Sequence, residues 1–236
     1  MKTVLHTADT RGHANHGWLN ANHSFSFANY YDPSRMHFGV LRVLNDDAID
    51  GGTGFGMHPH DNMEIITIML EGALEHKDNM GNTGVIKPGE VQVMSAGTGV
   101  YHSEYNHNKN EKAKLFQIWI FPNKRNVTPR YDQMQLELSE RKNNWQKIVE
   151  PGPVEKGLWI HQDAWMHIGQ FDAGTETTYK IKREGNGAYI MVVSGSIEVN
   201  GQTLNRRDAL GISETDVINL KATTDAEVLI VDVPMN

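Results

Sequence analysis

The chain of 236 residues contains no cysteine. Disulfides, thiolate zinc sites, cysteine-ligated iron–sulfur clusters and a cysteine nucleophile are thereby excluded. Imidazole and carboxylate are left as the strong side-chain metal ligands, and twelve histidines supply the first. Long apolar runs are missing too. Stretches such as Ile65–Leu70 and Val228–Val233 fall far short of the roughly 20 residues that span a bilayer, so no membrane partner is expected. The opening MKTVLHTADTRGHANHGW has no apolar run of about 7–15 residues and no small-residue cleavage site. No secretory signal is expected, and the protein is read as cytoplasmic. Basic blocks are also lacking: 22 Lys and Arg stand against 29 Asp and Glu, a net charge of −7. Lys180-Ile-Lys182-Arg183 and Arg206-Arg207 are too short to form a basic face, so direct nucleic-acid binding is not expected. There is no G-x-S-x-G serine-hydrolase elbow. Gly51-Gly-Thr-Gly-Phe-Gly56 is not G-x-G-x-x-G and lacks the Lys-Ser/Thr of a phosphate loop, and it reads as a turn.

What is present is a series of short apolar runs cut by turn residues, the pattern of an all-β protein. The runs include Val40–Leu44, Ile65–Leu70, Val91–Met94, Leu115–Phe121, Tyr189–Val193 and Val228–Val233. Asn200-Gly201, between Ile197-Glu-Val199 and Gln202-Thr-Leu204, predicts a two-residue hairpin. Tyr131 to Lys147 is charged, without Gly or Pro, and reads as a partly helical or extended connector closed by Pro151-Gly-Pro153. The two halves resemble each other. Ile68-Met-Leu-Glu-Gly72-Ala-Leu-Glu75 matches Met191-Val-Val-Ser-Gly195-Ser-Ile-Glu198, which suggests two β-barrels in tandem.

The chemistry lies in the first half. In Met57-His58-Pro-His60 the alternation of a strand turns both imidazoles to one face. In a chain this rich in histidine, chance alone can supply one H-x-H, so the pair by itself proves little. Tyr101-His102-Ser-Glu104 adds a second pair on one face, giving three imidazoles and a carboxylate. Such a set suits Fe(II), Mn, Co, Ni, Cu or Zn and leaves positions open for substrate. At the repeat offset in the second half, Ile181 and Arg183 replace His58 and His60, so no metal is expected there.

At these residues the sequence resembles a known family. Gly52-x5-His58-x-His60-x3-Glu64 looks like the first cupin motif, and His102-x3-Asn106 like the end of the second. The run from His58 to Asn106 and the segment of residues 12–33 are similar to the pirin branch of the cupins, closest to its bacterial quercetin 2,3-dioxygenases. The resemblance implies a bicupin of two antiparallel jelly-roll barrels. The first spans 1–130 with the metal site, the connector 131–153, and the second 154–236. Two departures from the general cupin pattern are shared with pirins: seven residues rather than six separate Glu64 from Gly72, and four rather than two separate Gly97 from His102. The resemblance therefore implies His58, His60, His102 and Glu104 as ligands, with Glu64 placed behind them to orient an imidazole.

It implies one divalent metal, Fe(II) first, with Ni, Co, Mn, Cu or Zn also compatible. It further implies cleavage of a flavonol with O2, Glu104 serving as general base. The alternative is a regulatory or redox-sensing metal protein that acts through a protein partner. Among the remaining candidates, His13, His16 and His23 are expected to pack or hydrogen-bond. His76, between Glu75 and Lys77, is expected to be exposed, and Met57, Met63 and Met69 to pack between layers.

Overall fold

The computed structural model describes residues 1–236 and is built almost wholly from antiparallel strands. Each half is a seven-stranded sheet facing a four-stranded one, so the expected barrels are sandwiches that do not close. In the first half the large sheet runs in the order Arg130–Gln135, Glu90–Ser95, Glu64–Glu71, Ala113–Ile120, Leu41–Ile49, Leu19–His23 and Gly12–Asn15. Its small sheet runs Gly54–His60, Val100–Asn106, Leu74–Asp78 and Thr83–Ile86. No helix is long and apolar enough to cross a membrane.

The expected runs are all strands, and the hairpin forms as read. Val199 pairs with Gln202, and Asn200 and Gly201 both take positive φ, 47° and 83°, as the tight turn requires. The repeat is real at its marker glycines. Gly72 and Gly195 have φ of 75° and 73°, and a Cβ on either would strike a backbone carbonyl, of Lys112 or of Asp225.

Alternation decides what each face of the large sheets buries. Ile66, Ile68, Val91, Val93, Phe116 and Ile118 turn away from the first small sheet and meet Met166, Tyr189, Met191, Leu229 and Val231 of the second half. These belong to one cluster of 26 buried residues, the largest core of the molecule, and it lies between the halves. The interior of the second half is a separate apolar cluster of 17 residues.

The strands do not respect a simple division. Lys2–His6 pairs with Ala209–Ser213 and forms the edge of the second large sheet. Most of the connector is strand: Arg130–Gln135 completes the first large sheet and Gln146–Pro151 joins the second, leaving only Leu138–Arg141 as a 3-10 turn. A half-exposed edge strand such as Tyr131-Asp-Gln-Met-Gln135 shows no apolar alternation, which is why it reads as a linker. Because the main core is shared, residues 1–150 expressed alone should not unfold cooperatively. Urea denaturation followed by circular dichroism tests this, and a sharp two-state transition in the fragment would contradict it.

Candidate metal centre

The first half differs inside. Its interior apolar residues split into a cluster of eight around Leu74 and Leu115 and a cluster of four around Ile65 and Met94. Between them one level of the large sheet is polar across five strands: Gln92 pairs with Thr67, Thr67 with Gln117, Gln117 with Asn45 and Asn45 with His23. Hydrogen bonds run along this rung, from Gln92 Nε2 to Thr67 Oγ1 (3.3 Å), from Thr67 Oγ1 to Gln117 Oε1 (3.1 Å) and between Asn45 Oδ1 and His23 Nδ1 (2.9 Å). The rung faces the small sheet, and Gln117 Nε2 donates across to Glu104 Oε2 at 2.9 Å.

On the small sheet, Val100–Asn106 buries Val100, His102, Glu104 and Asn106 and exposes Tyr101 and Tyr105. His102 stands opposite His58 on one neighbouring strand, while Glu104 stands opposite His76 on the other. Gly54–His60 is an edge strand, which tolerates Pro59 between the two histidines. Ring centroids of His58, His60 and His102 lie 4.4 to 4.9 Å apart. His58 Nδ1 donates to the Gly56 carbonyl (2.8 Å), leaving Nε2 as its free ligand atom. Burial, with neighbouring imidazoles, pushes His102 down to about 2, and burial with His58 pushes His60 down to about 4. Both are neutral at physiological pH, the state in which imidazole binds a metal.

The ligand atoms of His58, His60 and His102 lie within 4.8 Å of one another, and so do those of His76, His102 and Glu104. The four expected ligands therefore fall in two groups that share His102. A bulge between His102 and Glu104 in the pairing with Gly54–His60 sets Glu104 opposite Phe55, three residues along the strand from His58. Seven buried side-chain atoms have no hydrogen-bond partner, and two of them, His102 Nε2 and Glu104 Oε1, belong to expected ligands. Leaving such an atom unsatisfied costs about 1–3 kcal/mol, and coordination to a cation would satisfy it. The donor set fits a divalent transition metal.

Three expectations are corrected. His76 is fully buried rather than exposed, stacked on Tyr131 at 4.4 Å with its Nε2 3.1 Å from Asp78 Oδ2. Glu75 and Lys77 point outward, but Leu74, His76 and Asp78 share the inward face. That spacing after an apolar Leu was the available signal. Glu64 does not stand behind the histidines: it shares the interdomain face with Ile66 and Ile68 and accepts from Ser95 Oγ at 2.7 Å. One extra residue before Gly72 reverses which face of the strand a side chain takes. Met57 is 58% exposed, whereas Met69 is buried in the interior cluster and Met63 packs on the smaller one. As expected, His13 and His23 hydrogen-bond, to Asn20 and Asn45.

Burial raises the Glu64 carboxyl from 4.5 to about 7, against the pull of Ser95, the His161 backbone and Arg130. The folded state then binds more protons than the unfolded state between these values. Its contribution to stability is complete below about pH 4.5 and is lost as pH rises to about 7, on the order of 1 kcal/mol per pH unit. Glu64→Gln stays neutral, so its denaturation midpoint should fall less than the parent's from pH 5 to 7. Parallel pH profiles would refute this origin.

Two family descriptions match the chain in series, Pirin over residues 4–120 and Quercetinase C-terminal cupin domain over residues 148–233. With the paired sandwiches and the inward histidines of the first, they define a two-domain cupin. The chain belongs to the pirin family. It is 44% identical over 230 residues to quercetin 2,3-dioxygenase of Escherichia coli strain K12, covering 98% of each. It superposes on the crystal structure of YhhW from Escherichia coli with a TM-score of 0.94 at 43% identity, covering 99% of this chain and 98% of that one. A structure of bacterial pirin YhhW in complex with nickel(II) gives a TM-score of 0.93 at 42% identity, with 99% of both chains covered.

Proposed function

We propose that this chain is a dioxygenase that opens the central ring of a flavonol, using one divalent transition metal held by His58, His60, His102 and Glu104. The observation that carries the reading is the buried pair of unpartnered atoms, His102 Nε2 and Glu104 Oε1, next to two half-buried imidazoles. The name of the Escherichia coli relative and the nickel in the related pirin support it. Fe(II), Ni, Co, Mn, Cu and Zn all suit three imidazoles and a carboxylate. When bound, the ion supplies Lewis-acid stabilisation of the deprotonated 3-hydroxyl of the substrate.

The protein supplies the rest. In the metal-free protein burial raises the Glu104 carboxyl to about 7, against hydrogen bonds from Gln117 and Gln92, which makes it a stronger base than a solvated carboxylate. Gln117 fixes the carboxylate by donating to Oε2, and a lone pair not engaged by the ion would take the hydroxyl proton. Trp119 packs edge-on against His60 (4.9 Å) and Phe55 lies 6.3 Å from His58. These rings furnish aromatic faces for a flat substrate. O2 enters the cleaved product and carbon monoxide leaves. The test is to supply metal-loaded protein with quercetin and follow flavonol absorbance, O2 uptake and carbon monoxide release together. Metal binding without any of the three would favour the alternative, a metal protein that works by contact with a protein partner.

A further inference from the structure

We propose that Asp78 and His76 form a hydrogen-bonded relay that holds His102 in the tautomer with Nε2 bare and turned to the His58–His60 pair. His76 is then a positioning residue and not a ligand. The inference rests on the metal-site reading above and assigns a direction to each hydrogen bond behind it.

The direction is set at Asp78. Its Oδ1 accepts the backbone N–H groups of Met80 and Asn82, both at 2.9 Å, and its Oδ2 accepts Asn82 Nδ2 at 2.8 Å. The carboxylate is completely enclosed and fixed by these donors. It can only accept from His76 Nε2, 3.1 Å away, so the proton of a neutral His76 sits on Nε2. Tyr131, stacked at 21° on the His76 ring, holds its plane. His76 Nδ1 is then a lone pair, and it lies 3.4 Å from His102 Nδ1. His102 must donate there, which leaves its Nε2 without a proton. The reverse direction would place an N–H at His102 Nε2, a buried atom with no acceptor. The register brings this about: Asp78 is opposite His102 and His76 opposite Glu104, so the His76 ring lies between the carboxylate anchor and the ligand. A carboxylate behind a ligating imidazole orients the ring and raises its basicity. Here a second imidazole passes that effect one residue further.

The first measurement uses the unaltered, metal-free protein. Proton–nitrogen correlation spectra of the imidazoles at neutral pH should show His102 protonated at Nδ1 and His76 at Nε2. A His102 protonated at Nε2 overturns the relay. The second uses nickel(II) alone as probe. Asp78→Asn presents an amide N–H to His76, reverses its tautomer, and should weaken nickel binding about 10–100-fold. His76→Gln, whose amide can accept from His102 and donate to Asp78, should recover most of the affinity that His76→Leu loses. A space-filling role would make the two variants equal, and parent-like affinity in Asp78→Asn would likewise overturn the proposal. Loss of nickel by His76→Gln as complete as by His58→Ala would make His76 a ligand, which also overturns it. If His58→Ala binds nickel like the parent, the site reading fails instead, and the tautomer spectra still decide the relay.

Discussion

Replacing His102 by alanine should reduce metal affinity more than 100-fold, beyond the about 10–100-fold that loss of an outer partner costs. His102 belongs to both groups of candidate ligands, so no arrangement of the remaining residues keeps three donors together. The metal-free protein should hardly notice. The parent keeps an imidazole neutral and buried with an unpartnered nitrogen, and the substitution removes that cost along with the packing it supplied. The contrast appears on adding metal. A ligand that binds only the folded state contributes about 2.7 kcal/mol at 100 times its dissociation constant, which is roughly 5–10 °C in Tm for a chain of this size. The parent should show that rise and His102→Ala should not. Thermal unfolding with and without nickel(II) checks it. An equal rise in both proteins would place the ion elsewhere.

Glu104→Gln should separate holding the metal from doing the chemistry. The amide keeps the shape and an oxygen but loses the charge and the basicity. Metal affinity should fall moderately, because His58, His60 and His102 remain together. Flavonol turnover per bound metal should fall by about 10²–10⁴, the usual contribution of a positioned general base. The Gln117 amide that donates to Glu104 Oε2 can still find an oxygen, so the interior need not rearrange. The measurement is metal content beside turnover in the same samples. Near-parent turnover per metal would remove Glu104 from the proton transfer and leave it at most a ligand.

The fold was largely legible because strand alternation is read directly from apolar residues. The runs at Ile65–Leu70 and Val228–Val233 and the Asn200-Gly201 turn each specify local structure by themselves. The two candidate ligand pairs, His58 with His60 and His102 with Glu104, were legible for the same reason, as one period of two places both members on one face. What escaped was set by pairing between strands. His76 carries charged neighbours and reads as exposed, and its pairing with Glu104 places it inside. The Glu64 motif match says nothing of which face the strand turns inward, and the polar rung from Gln92 to His23 joins five segments far apart in the chain. The offset of Glu104 from His58 follows from a bulge that only pairing reveals.

The strand Lys2–His6 has a consequence for how the molecule is made. It leaves the ribosome about two hundred residues ahead of its only sheet neighbour, Ala209–Ser213. Through most of translation its amide edge is therefore open, and Val4 and Leu5 remain about two-fifths exposed even after docking. Closing so long a loop comes late and slowly, since non-local strand pairing repays its entropy only once both partners are present. The nascent chain thus carries an unpaired strand as a hazard for cross-pairing between neighbouring polysomes. Emergence of Ala209–Ser213, and not of the metal-binding half, is the event that retires it.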